Sequence, residues 1–432
     1  MGSIEQNKGA VSKLLAQVQE GTTKYLEYFS SLSLPEPSYE EGDHLDPMKP
    51  LPVEVQAARD LAVEAADELQ HLLLGPMGLL LEAPGDQYYM VALQYIYRYQ
   101  IHKHVPMSPP GAETTFEAIA AAANLPATDV ARFMRIATSR HVFREPRKGV
   151  VTHTAASLHL AMNPMLEAWI VNIAEQFWTS VSRTVDATEK WPGSEEPNQS
   201  GYSLAHGTYE NPFDLIKRDD AVHKRFVDAM SFSHMHSSFS VEHLLNGYDF
   251  SSAKTVVDVG GSQGAVATAL AKRFPTIEQI IVQDLPDTVS GLEASLPTDL
   301  KPKIKGMPHD FLTPQPYKGA DIYLFRWILH DWSDKYCVQI LRSLIPALKK
   351  GAKVLVNDVC IPEPGQLSVK ADRVLRFMDI SMKAFNNARE RDAEDWVRLF
   401  ARADERFKFV GITVPQGARM AIMQAEWVGE DA

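Results

Sequence analysis

The chain has 432 residues, of which 45% are hydrophobic and 23% are charged, and its formal net charge is −12. This length is too great for one ordinary core, so two or three domains are expected. The acidic balance argues against a general nucleic-acid-binding protein, which needs a basic face for phosphates. The two cysteines, Cys337 and Cys360, cannot form a disulfide framework and favour a reducing compartment.

Residues 1–52 are predicted to form a helix and a linker arm. A helical pattern runs from about Val11 to Leu32, and the Pro-rich, acidic stretch PEPSYEEGDHLDPMKPLP follows it. The N-terminal sequence is polar and lacks the apolar core of a signal peptide. The most apolar stretch, LLLGPMGLLL at residues 72–81, is too short to span a bilayer. We therefore expect a cytoplasmic protein with no membrane partner.

Residues 53–160 are predicted to be almost all helix. Within TTFEAIAAAANLPATDVARFMRIATSRHVFREPRKGVVTHT, a helix, a tight NLP turn, a second helix from about Thr128 and two short strands around RKG follow one another. This order is typical of a winged helix-turn-helix, which often binds DNA through its second helix. That helix carries Arg132, Arg135 and Arg140, so DNA binding stays open. The acidic charge of the whole chain favours the other interpretation, a packing or dimerisation module.

The character of the chain changes near residue 250. Residues 161–250 are predicted to be a helical, aromatic-rich connector. In residues 251–432, apolar β-branched runs (TVVDVG, QIIVQD, ADIYLF, KVLVND) alternate with helix-like segments. Such alternation predicts an α/β domain with a mostly parallel, doubly wound sheet.

The first strand of this domain leads into a glycine-rich turn, VVDVGGSQGAVATAL, at residues 256–270. Glycines let a backbone approach a ligand closely, and the following helix N-terminus offers free N–H groups. The pattern is not the dinucleotide form G-x-G-x-x-G, so a purely structural turn, held by Asp258, is also compatible. Asp284 ends the next strand, a position at which an acidic side chain can hydrogen-bond the ribose hydroxyls of a cofactor. Together these features predict a nucleoside cofactor.

Two further strand ends carry side chains suited to a ligand. Asp310 and Phe311, in KGMPHDFLTPQPY, could contact an adenine by hydrogen bonding and stacking, although an ordinary loop Asp beside a core Phe gives the same pattern. The fourth strand ends in FRWILHDWSD, residues 325–334, which presents His330 directly before Asp331. Ligands of open α/β sheets bind at this edge.

The segments GGSQG, QDLPDTV, HDF and RWILHDWSD, in this order, resemble the S-adenosylmethionine-dependent O-methyltransferases of the plant caffeic-acid and flavonoid type and their fungal secondary-metabolite relatives. The resemblance covers the whole chain. It implies a Rossmann-like catalytic domain over residues 251–432, which binds S-adenosylmethionine, and an N-terminal winged-helix dimerisation domain. It also implies a homodimer acting on a small aromatic or polyketide-like substrate, without a metal and without nucleic acid.

In that family the histidine of the HDW motif is the general base, which implies this role for His330. An imidazole with a pKa near 6.5 suits proton abstraction at neutral pH. Asp331 is expected to hydrogen-bond the substrate near the reacting oxygen or to orient the following helix as an N-cap-like acceptor. Glu390, in ARERD, and Asp358, after strand five, are expected to hold the imidazole as the Asp of a triad does. The family usually has Glu where Asp358 stands, so Glu390 is the expected main partner.

The resemblance also implies contacts with the cofactor and the substrate. Gly260 is expected at the amino-acid portion of the cofactor, Asp284 at the ribose, and Arg326, where the plant enzymes usually have Lys, near the carboxylate or adenine. Ser262 replaces a common glycine and is expected to have a negative φ. The cofactor-binding set comprises Gly260, Ser231, Asp284, Asp310, Phe311 and Arg326. The substrate-binding set comprises Phe226, Met230, Trp327, Phe385 and Asn386.

Two other functions stay open at this point. Some fungal relatives keep the cofactor as a fixed positive charge and catalyse dehydration or pericyclic ring formation. Retention of His330 with Asp331 and Glu390 favours methyl transfer, because a repurposed site replaces the base. A winged-helix DNA-binding regulator is the second alternative, and the surface charge of residues 128–153 discriminates it from an enzyme.

Overall fold

A computed structural model describes residues 9–40, 51–82 and 85–430. These residues divide into two compact units. The first contains the described residues up to Thr179, with Asp219–Ser233 and Leu367–Val374, and the second contains Ser180–Arg218, His234–Gln366 and the rest of the chain from Leu375. The predicted connector at 161–250 therefore contributes to both units. Within the described ranges, no helix is long and apolar enough to cross a membrane.

Helices account for most of the regular structure. The α-helices are α1 Ala10–Ser31, α2 Val53–Glu82, α3 Asp86–Arg98, α4 Phe116–Ala123, α5 Ala127–Thr138, α6 Ala155–Met162, α7 Pro164–Val171, α8 Trp178–Val181, α9 Thr184–Lys190, α10 Gly201–His206, α11 Pro212–Lys217, α12 Asp220–His234, α13 Val241–Gly247, α14 Ala265–Arg273, α15 Pro286–Val289, α16 Leu292–Ser295, α17 Asp334–Leu344, α18 Val369–Asn386 and α19 Ala393–Ala403. A π-helical turn spans Asn172–Phe177, and 3₁₀ turns span Ile101–Lys103, Ser237–Phe239, Leu329–Asp331 and Ile345–Ala347.

The strands form two separate sheets. They are β1 Thr114–Thr115, β2 Phe143–Arg147, β3 Val150–His153, β4 Thr255–Val259, β5 Gln279–Asp284, β6 Ile304–Pro308, β7 Ile322–Arg326, β8 Lys353–Ile361, β9 Arg391–Asp392, β10 Phe407–Thr413 and β11 Met420–Trp427. The first three form a small sheet in the order β1-β3-β2, and the others form the large sheet.

The small sheet belongs to a helix–turn–helix and hairpin arrangement in the first unit. The Thr115 side chain accepts a hydrogen bond from the Ala118 N–H at 3.1 Å and so caps α4, which ends at Asn124 in the left-handed conformation. Helix α5 follows after a short turn, and β2 and β3 then pair antiparallel. Phe116 and Met134 are buried between these elements. The order of elements agrees with the predicted one, and the winged-helix assignment itself stays a prediction.

The large sheet has the order β10-β11-β8-β7-β4-β5-β6, with β9 beside β8. Strands β4 to β8 pair in parallel, and β10 and β11 add an antiparallel edge. Side chains alternate across β4: Val257 packs in one hydrophobic core with Trp396 of α19, and Val256 packs in the other with Leu270 of α14. Helices therefore cover both faces, which explains the continuous apolar runs of these strands. The predicted mixed α/β fold with a mostly parallel sheet is confirmed.

Candidate active site

The carboxyl ends of the parallel strands bring the predicted motifs to one edge of the sheet. Gly260 follows β4, Asp284 ends β5, Asp310 and Phe311 follow β6, and Arg326 ends β7. The strand order reverses between β4 and β7, because β5 and β6 lie on one side of β4 while β7 and β8 lie on the other. A crevice forms outside such a reversal, and ligands of open α/β sheets bind there.

The turn after β4 requires glycine at Gly260. Its φ is +74°, and a Cβ atom there would lie 2.4 Å from Cδ1 of Ile328. The same position is 3.9 Å from a ring carbon of Phe311. A side chain at Gly260 would therefore collide with Ile328, so the turn needs glycine both for its φ and for this close packing.

The expectation of a negative φ for Ser262 is wrong. Its φ is +49°, in the left-handed region that costs an L-residue about 1–2 kcal/mol. In this conformation the Ser262 N–H donates a hydrogen bond to Oδ2 of Asp284 at 2.9 Å. The other oxygen of Asp284 accepts the Leu285 N–H at 2.8 Å. The carboxylate at the tip of β5 thus fixes the glycine-rich turn of β4.

Asp310 and Phe311 lie in a tight turn after β6. The carboxylate of exposed Asp310 accepts the Leu312 N–H at 2.9 Å. The ring of Phe311 meets that of Trp332 edge to face at 5.8 Å. Asp310 therefore stabilises the turn, and Phe311 packs against the residue that follows the His330 turn. Their contact with an adenine stays a prediction.

His330 lies in a 3₁₀ turn that begins three residues after the end of β7, and only 7% of its surface is exposed. Its Nδ1 lies 3.0 Å from Oε1 of Glu390, and its Nε2 lies 3.5 Å from Oδ1 of Asp331. Asp358 accepts a hydrogen bond from the His330 backbone N–H at 3.2 Å. The shorter carboxylate of Asp358 thus holds the main chain of the turn, whereas Glu390 contacts the ring.

Buried carboxylates dominate the electrostatics of the turn. Burial lowers the pKa of His330, but the charges of Asp331 and Glu390 outweigh burial and raise this pKa to about 10. Burial raises the pKa of Asp331 to about 6 and also raises that of Asp358, although His330 opposes both shifts. The nearby carboxylates therefore favour the protonated form of His330 in the free protein.

Arg326 is engaged by the protein at the end of β7. Its guanidinium donates to the Asn357 side chain and to the Phe239 carbonyl. Burial lowers its pKa to about 10, although Asp358 and Asp258 oppose this shift. Burial likewise raises the pKa of Asp258, on β4, to about 7.

Trp327 follows Arg326 and has a φ of +57°. Its ring lies 4.9 Å from that of His330 and 5.1 Å from that of Phe239. A left-handed conformation is uncommon for a bulky residue and is often found at functional sites. The contact of Trp327 with a substrate stays a prediction.

The other predicted substrate residues separate into two groups. In the second unit, Phe385 is buried edge to face against Phe213 at 5.4 Å, and Asn386 donates to the Asp331 carbonyl at 2.6 Å. In the first unit, helix α12 carries Phe226, Met230 and Ser231. Asn386 thus contacts the His330 turn, and the substrate-binding roles of both groups remain predictions.

Three residues of the site were not predicted. They are Ile328, which faces Gly260; Asn357, which binds Arg326; and Arg391, which donates to the Leu329 and Trp332 carbonyls. Only the position of Arg391 next to Glu390 could have drawn attention to it. The other two look like ordinary residues of apolar strand ends.

The comparisons with known proteins identify the family of this chain. A family model for an O-methyltransferase domain matches residues 192–405. The grayanic acid biosynthesis cluster O-methyltransferase of Cladonia grayi is 37% identical over 97% of this chain and 88% of its own length. The chain belongs to the O-methyltransferase family. It is an S-adenosylmethionine-dependent methyltransferase, as its motifs imply.

One further relative and one solved structure are similar to this methyltransferase. The chlorophenol O-methyltransferase of Trichoderma longibrachiatum is 35% identical over 96% of the chain and 89% of its own length. The crystal structure of OxaC in complex with SAH and oxaline superposes with a TM-score of 0.74 and 22% identity, over 97% of this chain and 99% of that one. The latter likeness shows the fold.

The residues of the sheet edge fit S-adenosylmethionine. The glycine-rich turn connects β4 to the N-terminus of helix α14 at this edge, the kind of position where backbone N–H groups bind a ligand. Among the described residues, Oδ2 of buried Asp258 has no hydrogen-bond partner. The ionisable side chains of this edge are mainly acidic, which suits a sulfonium cation: Asp258, Asp284, Asp331, Asp358 and Glu390 against Arg326 and His330.

Proposed function

We propose that this methyltransferase methylates a hydroxyl of a small aromatic or polyketide-like secondary metabolite, with His330 as general base. The contact of 3.0 Å between Nδ1 of His330 and Oε1 of Glu390 carries the proposal. It binds one ring nitrogen to an acid and directs the other nitrogen away from that acid. The name of the chlorophenol O-methyltransferase supports an aromatic hydroxyl as the acceptor.

S-adenosylmethionine supplies an electrophilic methyl group. Nε2 of His330 accepts the proton of the substrate hydroxyl, which makes the oxygen a better nucleophile. Glu390 stabilises the resulting imidazolium and keeps the ring oriented. Since the pKa of His330 is raised to about 10, only its deprotonated fraction can act as a base, and this fraction grows with pH.

The same residues favour methyl transfer over a reaction in which the cofactor is only a fixed charge. His330 stands at the base position, and Glu390 stands within hydrogen-bond distance of it. A site that keeps the cofactor only as a fixed charge is expected to carry Arg or Lys in place of this histidine, whereas His330 is retained here. Methyl transfer is therefore the function that the geometry supports best.

The arginines of the predicted winged helix support a role without nucleic acid. Each has a carboxylate partner, which reduces the positive charge available to phosphates: Arg132 with Asp129, Arg135 with Glu145, Arg140 with Asp86, Arg144 with Glu40 and Arg147 with Glu113. We also propose that the first unit mediates the formation of a homodimer.

Incubation with methyl-labelled cofactor and an extract of the producing organism tests the proposal. We expect a labelled metabolite from the wild-type protein. In His330→Ala the rate should fall by about 10²- to 10⁴-fold, the range of general-base catalysis, while the Kd for the cofactor changes little.

The matched control is His243→Ala, because the ring of His243, on helix α13, has its Nε2 2.9 Å from the Ser237 carbonyl. Transfer at the wild-type rate by His330→Ala would contradict the base role. A changed metabolite profile without label in the wild-type reaction would instead support the fixed-charge alternative.

A further inference from the structure

The main chain around His330 is held by a small set of side-chain donors. Nη1 of Arg391 donates to the Leu329 carbonyl at 2.9 Å, and Nη2 donates to the Trp332 carbonyl, also at 2.9 Å. The carbonyls on both sides of the His330–Asp331 pair are thus bound by one guanidinium. Its planar donors are fixed relative to one another, so the two carbonyls are fixed as well.

Arg391 is itself held rigidly. Its residue surface is 0% exposed, and burial of a charge is costly unless the charge is paired and hydrogen-bonded. Nε donates to Oδ1 of Asp334 at 2.9 Å, which supplies the opposite charge. The guanidinium carbon lies 5.3 Å from the ring centroid of Trp396, and Nη2 lies 3.3 Å from Sγ of Cys337. The cation is therefore packed on several sides and has a defined position.

The position of Arg391 in the chain gives this arrangement a consequence for catalysis. Glu390, which contacts the His330 ring, directly precedes Arg391. The backbone N–H of Glu390 donates to Oδ1 of Asp379 at 2.9 Å, which fixes the other side of this segment. The guanidinium therefore ties the turn that carries the histidine to the segment that carries its carboxylate.

We infer that Arg391 is a positioning residue that sets the contact between His330 and Glu390. The inference rests on the proposed role of His330 as the base. Arg391 does not contact the His330 ring; it acts through the carbonyls of Leu329 and Trp332. Lysine in its place could keep the charge but could not bind both carbonyls and Asp334 with a planar fork.

The test uses Arg391→Lys in the full chain and measures the pKa of His330 by NMR of ¹³C-histidine-labelled protein, with His330→Ala to assign the signal. A looser contact with Glu390 stabilises the imidazolium less, so we expect this pKa to fall. The ascending limb of the pH profile of kcat/KM should move to lower pH. The value of kcat should fall by about 10- to 100-fold, as expected for a misplaced catalytic group, and KM for the cofactor should change little.

A merely structural role would lower the melting temperature and leave both the His330 pKa and the pH limb unchanged. That result in a folded Arg391→Lys protein would overturn the inference. The matched control is Arg402→Lys, because Arg402 pairs with the same Asp334 at 3.0 Å without binding the turn carbonyls. It should keep the wild-type pKa and rate.

If Arg391→Lys does not fold, Asp334→Asn provides the second test, because it removes the charged partner of Nε. We expect a smaller shift of the His330 pKa in the same direction, and an unchanged pKa would overturn the inference. The underlying function is tested separately. Full turnover in His330→Ala would refute the base role, whereas an inactive His330→Ala beside an unaltered Arg391→Lys would refute only the positioning role.

Discussion

At His330, burial and charge act on the protonation equilibrium in opposite directions. Burial disfavours the imidazolium, but Asp331 and Glu390 favour it more strongly and raise the pKa to about 10. The folded-state pKa thus lies above the value near 6.5 of an unfolded chain. The protonated ring therefore stabilises the fold fully below about pH 6.5, and this contribution is lost as the pH rises through about 10.

The variant Glu390→Gln tests this balance at a single residue. Without the negative charge, the pKa of His330 should fall, and the ascending limb of kcat/KM, which reports the free enzyme, should move to lower pH. The plateau should fall by about 10²- to 10⁴-fold because the protonated base is no longer stabilised. The melting temperature should also decline less between pH 7 and pH 10 than in the wild type.

The control for that experiment is Glu394→Gln, because Glu394 has an exposed side chain paired with Arg398 on the surface of α19. Its pH profile should match that of the wild type. If the ascending limb of the kcat/KM profile stays at the wild-type pH in Glu390→Gln, the contact of 3.0 Å does not govern the protonation of His330.

At the scale of elements, the unit of strand β4, glycine turn and helix α14 was predicted almost completely from the sequence. Its signals are local: a β-branched run, then glycines, then an alanine-rich helix. The conformation of Ser262 was predicted wrongly, because its N–H bonds to Asp284, which lies 22 residues further along the chain. A local pattern cannot contain a partner that only strand pairing brings close.

Two glycine variants separate the requirement for a positive φ in this turn from the requirement for space beside Gly260. Gly260→Ala and Gly319→Ala both place a side chain at a φ of +74°, but only the former meets an obstacle, Ile328 at 2.4 Å. We expect Gly319→Ala to lower the free energy of unfolding by about 1–2 kcal/mol, the cost of the left-handed conformation. Gly260→Ala should cost about 1–3 kcal/mol more from overpacking and should also weaken cofactor binding.

Chemical denaturation and calorimetric titration with S-adenosylhomocysteine measure these effects. Cofactor-product affinity should stay at the wild-type value in Gly319→Ala. Equal affinity in the two variants would contradict a role of Gly260 in the cofactor site.

At the scale of the whole molecule, apolar side chains remain exposed on the second half of α2. The helix is interrupted at Gly75, where φ is 66° and ψ is 176°. Leu73, before this kink, and Leu80 and Leu81, after it, are each more than 70% exposed. Clusters of exposed apolar side chains commonly mark association surfaces, which supports the proposed homodimer.

Charge substitution tests the dimer. We expect the double variant Leu80→Asp, Leu81→Asp to shift the protein towards a monomer in light scattering coupled to size exclusion, because a buried unpaired carboxylate disfavours association. Val185→Asp is the matched control, since Val185 is 78% exposed on α9. A double variant with the mass of the wild-type protein would contradict an interface at this part of α2.

The sequence by itself determined the family, the mixed α/β fold and the order of the motifs along the strand ends, because strands, turns and helices are encoded by neighbouring residues. Only the tertiary structure decided how the His330 turn is held. Glu390, which contacts the His330 ring, lies 60 residues further along the chain. Asp358 binds the main chain of His330 and not its ring. Arg391 donates to the carbonyl of Leu329, which lies 62 residues before it in the chain. These contacts depend on distances created by sheet order and helix packing, and the pKa of His330 depends on the same distances.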